Sequence, residues 1–217
     1  PAKIGLLASV GIARVDCYRR ARVAFFSTGD ELLDPGNKLE PGKIYNSNRY
    51  FLESYLREVG ADPLDFGRCP DTAKATSEFL LKASATADFI ITTGGMSVGE
   101  EDYVKDQLES LGDIAFWKVA MRPGKPFAYG RISATPFFGL PGNPASAFVG
   151  FHLLVKPALL SAMGVLNHHN KRLKVIANFG CENNGKRVDF VRCVADFNSE
   201  GVLAVSRFDN QGSGVLS

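Results

Sequence analysis

The sequence FIITTGGMSVGEEDY occupies residues 89–103 and combines three features in immediate succession. An apolar run from Phe89 to Ile91 leads to paired glycines at 94 and 95, and acidic residues follow at 100–102. This order is typical of a buried strand and then a loop whose free backbone N–H groups can hold a phosphate. Carboxylates beside such a loop suit Mg²⁺, which is commonly bound by one or two carboxylates together with phosphate oxygens. The stretch predicts a nucleotide or phosphorylated-cofactor site, although a tight structural turn would also explain the paired glycines.

Helix and strand signals alternate on both sides of this stretch. Strands are predicted at 22–27, 63–66, 88–92, 114–120 and 137–140, with a hairpin-like piece at 127–132. Helices are predicted from a cap at Asn46 or Ser47 to Gly60, from Asp71 or Thr72 to about 87, from 103 to 111 with Gly112 as the stop, and from about 145 to 163. This alternation predicts a three-layer α/β/α domain with a mainly parallel sheet.

Beyond residue 164 the pattern changes. A polar stretch at 164–171 is followed by β-rich runs at 173–177, 188–197 and 202–208, and a turn at 198–201 joins two of them as a hairpin. We therefore expect a remnant of a preceding segment at 1–20, an α/β domain at 21–165, and a partial, truncated β module at 166–217.

Three predicted loops begin where strands end: Gly29–Asp30, Gly94–Gly95 and Gly142–Asn143. In parallel α/β sheets, ligands bind outside the carboxyl ends of the strands. The sequence therefore predicts that these loops meet at one crevice.

Composition excludes several other classes of protein. A formal net charge of +2 over 217 residues, without a long basic run, does not indicate a nucleic-acid binder. The four cysteines are far apart and form no zinc or disulfide pattern, and the three histidines lack metal-ligand spacing. No apolar stretch approaches the roughly 20 residues that span a bilayer, so we expect a cytoplasmic protein without a membrane span.

Charged and polar residues near the predicted strand ends are the candidates for chemistry. Arg122 and Lys125 lie in the stiff loop RPGKP and suit an oxyanion, although both could simply face solvent. Asp71 could be a helix N-cap or a site residue, and Ser146 could reach an anion or pack against the sheet. No covalent nucleophile is indicated, so positioning, charge neutralisation and a bound metal are expected to supply the catalysis.

Taken together, four ordered motifs resemble those of the molybdopterin molybdenumtransferases, the family that includes the C-terminal domain of gephyrin. They are STGDEL at 27–32, TGGMSVGEEDY at 93–103, RPGKP at 122–126 and GLPGNP at 139–144. The resemblance implies that molybdate and adenylylated molybdopterin are substrates, that Mg²⁺ is a cofactor, and that AMP is released as molybdenum is inserted.

The resemblance also implies roles for individual residues. Asp102, Lys125 and Asp71 would be catalytic, and Asp102 with Glu101 would hold Mg²⁺. Lys125, together with Arg122, would attract molybdate. The cofactor-binding residues would be Gly29, Asp30, Gly94, Gly95, Ser97, Arg122, Pro141, Gly142, Asn143 and Ser146.

Partners and alternatives follow from the same resemblance. A homodimer is implied for the full-length protein, with an adenylyltransferase as a further partner. The alternative functions are molybdopterin adenylyl transfer and a gephyrin-like scaffold. Arg187 and Arg192 resemble the arginine-bearing strand of the family, and the sequence does not distinguish which of them faces the crevice, nor molybdate from tungstate.

Overall fold

A computed structural model describes residues 1–96, 103–182 and 185–212 of the chain. The helices are α1 (Ala2–Ser9), α2 (Ser47–Glu58), α3 (Ala73–Thr86), α4 (Tyr103–Leu111), α5 (Pro144–Gly150) and α6 (Lys156–Ala162), with a π-helical turn, Phe151–Val155, between the last two. The strands are β1 (Arg22–Thr28), β2 (Leu32–Leu33), β3 (Ile44–Tyr45), β4 (Asp62–Cys69), β5 (Phe89–Thr93), β6 (Gly112–Phe116), β7 (Met121–Arg122), β8 (Ala128–Ile132), β9 (Thr135–Leu140), β10 (Ile176–Ala177), β11 (Val188–Asp189), β12 (Cys193–Phe197) and β13 (Leu203–Arg207).

A six-stranded sheet forms the centre of the molecule, in the order β4-β1-β5-β9-β8-β6. The pairs β1–β4, β1–β5 and β5–β9 are parallel, whereas β8 runs antiparallel to both β9 and β6. The carboxyl ends of β1, β5 and β9 therefore lie side by side at one edge of the sheet. This arrangement confirms the predicted α/β architecture with a mainly parallel sheet.

Helices cover both faces of the sheet and create two cores. One core joins Leu52 and Leu56 of α2 with Phe151 and Leu159 from the last helical segments. The other joins Leu80 of α3 and Leu108 of α4 with residues on the opposite face of β1, β5 and β9. Strand residues alternate between the cores, since Phe25 belongs to the first and Phe26 to the second. The sheet is thus the middle layer of three.

The C-terminal region forms a small three-stranded sheet in the order β10-β13-β12. Strands β12 and β13 are antiparallel and form the predicted hairpin, while β10 is parallel to β13. The predicted single run at 188–197 is instead two strands. The first of them, β11, pairs with β7, so that Asp189 lies opposite Arg122. This short ladder joins the β module to the loop that carries RPGKP.

One other predicted boundary is wrong, and one predicted helix is irregular within its bounds. The strand predicted at 114–120 is β6, which begins at Gly112, because this glycine pairs with Ile132 rather than ending a helix in a cap. A Cβ at Gly112 would collide with the backbone of Arg131, so the absence of a side chain permits the strand pairing. The helix predicted at 145–163 contains the π-helical turn that precedes Pro157, whose missing N–H group interrupts regular helical hydrogen bonding.

The segment Pro144–Ala162 is long and apolar enough to cross a bilayer by length and composition alone. The expectation that no apolar stretch approaches the length needed to span a bilayer is therefore wrong for this segment. Ala147, Phe151, Val155 and Leu159 from this segment are buried in the first core. Packing against the sheet explains the apolar character of this segment.

Asp88 connects the segment before β1 to the start of β5. Arg19 Nη2 donates to Asp88 Oδ1 at 2.6 Å, and the Arg22 backbone N–H donates to Asp88 Oδ2 at 2.8 Å. The hydrogen bond from Arg19 is the main reason why the pKa of Asp88 is below its usual value. A lowered pKa means that the folded state favours the charged carboxylate.

We predict that Asp88→Asn destabilises the chain most near neutral pH. Because the folded-state pKa is lowered, the stabilisation from Asp88 is present above its unfolded-state pKa and is lost as pH falls through the folded-state value. Urea unfolding should show a difference between wild type and variant that shrinks steadily below about pH 4. Asp16→Asn, in the exposed N-terminal segment, is the control and should show no such pattern. A difference that is constant across this pH range would contradict the assignment.

Candidate functional site

The loops that follow β1, β5 and β9 meet at the carboxyl edge of the sheet. The Gly94 N–H donates to the carbonyl oxygen of Leu140 at 3.1 Å. A Cβ on Gly94, which has φ +85°, would lie 2.5 Å from the carbonyl oxygen of Thr28. A Cβ on Gly142 would lie 3.6 Å from Gly94 Cα. These contacts define what we call the glycine crevice: Thr28–Gly29, Gly94–Gly95 and Gly142. The predicted convergence of the three loops is present.

Buried polar side chains lie behind this crevice. Thr93 Oγ1 donates to Ser27 Oγ at 2.9 Å, and Ser27 Oγ donates to Asn46 Oδ1 at 3.2 Å. Asn46 also caps α2 by accepting from the Arg49 N–H. Asn48 Nδ2 donates to the carbonyl oxygen of Gly142 at 2.8 Å, which ties the start of α2 to the loop after β9. The network links the ends of β1 and β5 to the start of α2, and α2 in turn holds the loop after β9.

Three atoms in and beside this network lack a hydrogen-bond partner within the described part of the chain. They are Thr28 Oγ1, Asn46 Nδ2 and Asn48 Oδ1, all on buried residues. Buried polar groups are usually paired, since burying one without a partner costs roughly 1–3 kcal/mol. Their location beside Gly94 and Gly142 makes a polar ligand the natural partner for them.

Asp30 and Asp71 lie together on the β4 side of the crevice. The Asp30 N–H donates to Asp71 Oδ2 at 3.0 Å. Lys43 Nζ donates to the Asp30 carbonyl oxygen at 2.8 Å, and Arg68 Nη1 lies 3.5 Å from Asp30 Oδ1. Asp71 does not cap α3, because the Thr72 side chain accepts from the Ala75 N–H and is the N-cap. Asp71 is therefore available to position the loop after β1.

Cys69, the residue at the end of β4, does not act as a nucleophile in this corner. Burial is the main reason that its pKa is raised to about 11, and its Sγ lies 3.9 Å from Thr76 Oγ1. A thiol with such a pKa is almost entirely protonated at neutral pH, and the thiolate is the reactive form. The predicted role of an ordinary thiol fits this environment.

A cavity of about 730 Å³ lies between α5, the loop after β7, and the β module. We call it the arginine cavity. Its lining is formed by Arg122, Pro123, Asn143, Ala145, Ser146, Phe148, Val149, Asp189, Phe190, Val191, Arg192, Arg207 and Gln211. Asn143 follows Gly142 directly, so the cavity adjoins the glycine crevice. Asn143 Oδ1 accepts from the Ser146 N–H at 3.1 Å and caps α5 at this point.

Positive charge dominates the arginine cavity. Its charged lining residues are Arg122, Arg192 and Arg207 together with a single carboxylate, Asp189. Arg122 Nη2 donates to Asp189 Oδ2 at 2.6 Å. Arg192 Nη1 donates to the Asn210 carbonyl oxygen at 3.0 Å. Guanidinium groups present planar arrays of donors that match oxyanions, so the cavity suits a small anion.

The remaining predicted site residues do not all lie in the arginine cavity. Ser97, Glu101 and Asp102 lie outside the described residues. The Lys125 side chain is exposed and does not line the arginine cavity. The carbonyl oxygen of Lys125 accepts from the backbone N–H groups of Val119 and Phe127.

The sequence did not distinguish Arg187 from Arg192 as the arginine that faces the crevice. Arg192 lines the arginine cavity and Arg187 does not. Ser146 lines the cavity, and Pro141 is buried behind the crevice.

The described residues do not by themselves provide a divalent-metal site. Within residues 1–96, 103–182 and 185–212, no three His, Cys, Asp or Glu side chains are grouped so that they could hold a metal ion. Asp30 and Asp71 approach each other, but one oxygen of each is already engaged with Arg68 or with the Asp30 N–H.

Sequence reasoning missed several residues that the structure places at the site. Asn48 was read as part of a helix, and its contact with Gly142 depends on tertiary packing. Asp189 and Arg207 lie in the β module, where an alternating pattern shows which residues share a face but not which element that face meets. The isolated carboxylate in KRVDFVR, at 186–192, was the available signal for Asp189.

Comparisons with known proteins agree with this architecture. The model of the family described as "Probable molybdopterin binding domain" matches residues 24–161. The curated molybdopterin molybdenumtransferase of Haemophilus influenzae is 39% identical over 218 aligned positions, which cover 100% of this chain and 54% of that protein. The protein of the same name from Nostoc is 40% identical and covers 88% of this chain and 45% of the relative. The chain spans about half the length of the curated relatives it matches.

Solved structures lead to the same architecture. A molybdopterin biosynthesis moeA protein from Pyrococcus horikoshii matches with a TM-score of 0.76 and 31% identity, covering 96% of this chain and 50% of that one. A molybdenum cofactor biosynthesis protein B matches with a TM-score of 0.54 at 16% identity and covers 69% of this chain. At that identity the second match shows a shared fold alone.

Proposed function

Because this chain belongs to the family of probable molybdopterin-binding domains, we propose that it is the part of a molybdopterin molybdenumtransferase that binds molybdate and adenylylated molybdopterin. The reaction would insert molybdenum into the pterin dithiolene and release AMP. Relatives that match over the whole chain carry this enzyme name, which supports the proposal.

The observation that carries the proposal is the arginine cavity beside the glycine crevice. Molybdate is a small dianion, and the cavity offers three guanidinium groups against one carboxylate. The crevice offers the unpartnered atoms of Thr28, Asn46 and Asn48 for the larger phosphorylated ligand, beside a glycine loop that has no room for a Cβ at Gly94. Asn143 connects the two, so both substrates would lie side by side.

The chemistry requires that one anion be brought next to another. Repulsion between unit charges at 4 Å is about 1 kcal/mol in water and about 4 kcal/mol in a partly buried site, so nearby cations must offset it. Arg122, Arg192 and Arg207 would hold molybdate, and the glycine loops would orient the pyrophosphate. The proposed contribution of these residues is positioning and charge neutralisation, and Cys69, whose pKa is raised to about 11 mainly by burial, is not an activated nucleophile.

Further parts of the proposal rest on the sequence resemblance. We propose that Glu101 and Asp102 hold Mg²⁺, which would stabilise charge on the phosphate oxygens, and that Lys125 attracts molybdate towards the cavity. Asp71 would position the crevice loop from its contact with the Asp30 N–H. A homodimer, an adenylyltransferase partner, a cytoplasmic location and the three-part division at residues 20 and 165 belong to the same proposal.

The two alternative functions have less support. Molybdopterin adenylyl transfer would need only the α/β domain, whereas relatives bearing the molybdenumtransferase name match through the β module as well. A scaffold would bind peptides independently of the arginine cavity, and no feature of the described residues favours this. Molybdenum insertion therefore ranks first.

Calorimetric binding tests the proposal. We expect the chain to bind adenylylated molybdopterin with Mg²⁺ and to bind ATP at least tenfold more weakly, a difference of about 1.4 kcal/mol. Asp102→Asn should weaken binding of the pterin, and Asp106→Asn, four positions along the chain, is the matched control. Preferential binding of ATP would replace insertion by adenylyl transfer, and binding of neither ligand would contradict both enzymatic readings.

A further inference from the structure

Asp189 is held against Arg122 by both backbone and side chain. In the ladder between β7 and β11, the Phe190 N–H donates to the Arg122 carbonyl oxygen at 2.8 Å, and the Val188 N–H donates to the Ala120 carbonyl oxygen at 2.8 Å. The side chains add the ion pair of 2.6 Å between Arg122 Nη2 and Asp189 Oδ2. The carboxylate therefore has a fixed position in the wall of the arginine cavity.

The two partners differ in their exposure. The Asp189 side chain is 13% exposed, whereas the Arg122 side chain is 62% exposed. Asp189 engages one guanidinium nitrogen of Arg122, and the other donors of that group are left for a ligand. An anion in the cavity would thus contact Arg122 while lying close to a carboxylate of the same sign as its own.

Asp189, the single carboxylate beside three arginines, weakens the binding of an anion by an amount that depends on the charge of that anion. Arg207 lines the cavity, and its side chain has no ion pair or hydrogen bond to any described residue. The repulsion from Asp189 grows in proportion to the charge of the ligand. At a separation of about 6 Å in a water-like dielectric, it weakens binding about threefold for each negative charge.

We propose that Asp189 is a specificity-determining residue that reduces the advantage of more highly charged phosphates over small dianions, such as molybdate, in the arginine cavity. This inference rests on the proposed function, since it assumes that the cavity holds an oxyanion. This reduction matters because the neighbouring crevice would hold a pyrophosphate-bearing ligand, whose phosphates would compete for the same three arginines. Asp189 also holds one nitrogen of the Arg122 guanidinium in place in the lining of the cavity.

Direct titration of two anions tests the proposal. Molybdate and inorganic pyrophosphate are titrated, without magnesium, into the 217-residue chain, Asp189→Asn, Asp189→Glu and the control Glu200→Gln. Glu200→Gln removes the same charge from the exposed hairpin turn of the β module. Asparagine keeps an oxygen that can accept from Arg122 but removes the negative charge, and glutamate keeps the charge.

We expect Asp189→Asn to bind molybdate about tenfold and trianionic pyrophosphate about thirtyfold more tightly, so that discrimination between them falls about threefold. Asp189→Glu and Glu200→Gln should keep the wild-type ratio. An unchanged ratio in Asp189→Asn, with molybdate binding still weakened by Arg192→Ala, would overturn this proposal and leave the proposed function standing. Failure of the wild-type chain to bind molybdate would overturn both.

Discussion

Replacement of Gly94 by alanine should lower the free energy of unfolding by about 2–4 kcal/mol and abolish binding of adenylylated molybdopterin. The new Cβ would lie 2.5 Å from the Thr28 carbonyl oxygen and 2.9 Å from Thr28 Oγ1, in a backbone conformation with φ +85° that disfavours any side chain. Relief of this clash would separate the loops after β1 and β5, which are the walls of the glycine crevice. Urea unfolding and calorimetric titration measure the two effects.

Gly60→Ala is the matched control for this prediction. Gly60 also has φ +85°, but a Cβ there would have no atom within 4 Å. Alanine at 60 should therefore show only the cost of the backbone conformation, about 1 kcal/mol, and should leave ligand binding unchanged. If the two variants lose equal stability and both bind the pterin, the close approach of Gly94 to Thr28 has no functional importance.

Arg192→Ala should weaken molybdate binding by about 10- to 100-fold, because a charge-assisted hydrogen bond to a buried anion contributes about 1.5–3 kcal/mol. Its guanidinium is positioned by the carbonyl oxygens of Asn210, at 3.0 Å, and Gly212, at 3.4 Å, and it has further N–H groups for a ligand. Titration of molybdate into the variant measures the loss.

Two companion variants sharpen this second prediction. Arg192→Lys keeps the charge without the planar fork and should show an intermediate loss. Arg172 is an exposed cation in the segment before β10, and Arg172→Ala should bind molybdate as the wild type does. An Arg192→Ala chain that retained wild-type affinity would place molybdate outside the arginine cavity.

Local sequence signals were sufficient for the central layer of the fold. The apolar runs that end at Thr28, Thr93 and Leu140 are strands β1, β5 and β9, and the glycines after them do meet at one edge. Capping residues marked helix starts well, since Asn46 and Thr72 both accept hydrogen bonds from backbone N–H groups in the first turn. These features depend on residues close together in sequence, which is why the sequence predicts them.

Features that depend on distant residues were not predictable in the same way. Gly112 has the same chemistry whether it ends a helix or begins a strand, and only its pairing with Ile132 separates the two. The pairing of Asp189 with Arg122 joins residues 67 positions apart, so it could not be inferred from either local pattern. The choice of Arg192 over Arg187 likewise depends on how β11 and β12 are placed around the cavity.

The residues to which the resemblance to the molybdenumtransferases assigns roles lie in different parts of the molecule, and those roles stay predictions. Arg122 and Ser146 do line the arginine cavity, whereas Lys125 is outside it. Asp30 and Asp71 form a corner of their own through the hydrogen bond between the Asp30 N–H and Asp71. The site thus has a glycine-lined part and an arginine-lined part, with Asn143 between them.

The most direct test of the account is to locate the oxyanion itself. Crystals of the chain soaked with molybdate or tungstate would be examined by anomalous diffraction at the absorption edge of the metal. We predict an anomalous peak inside the arginine cavity, within hydrogen-bonding range of Arg122 and Arg192. A metal peak elsewhere on the chain, with none in this cavity, would contradict it.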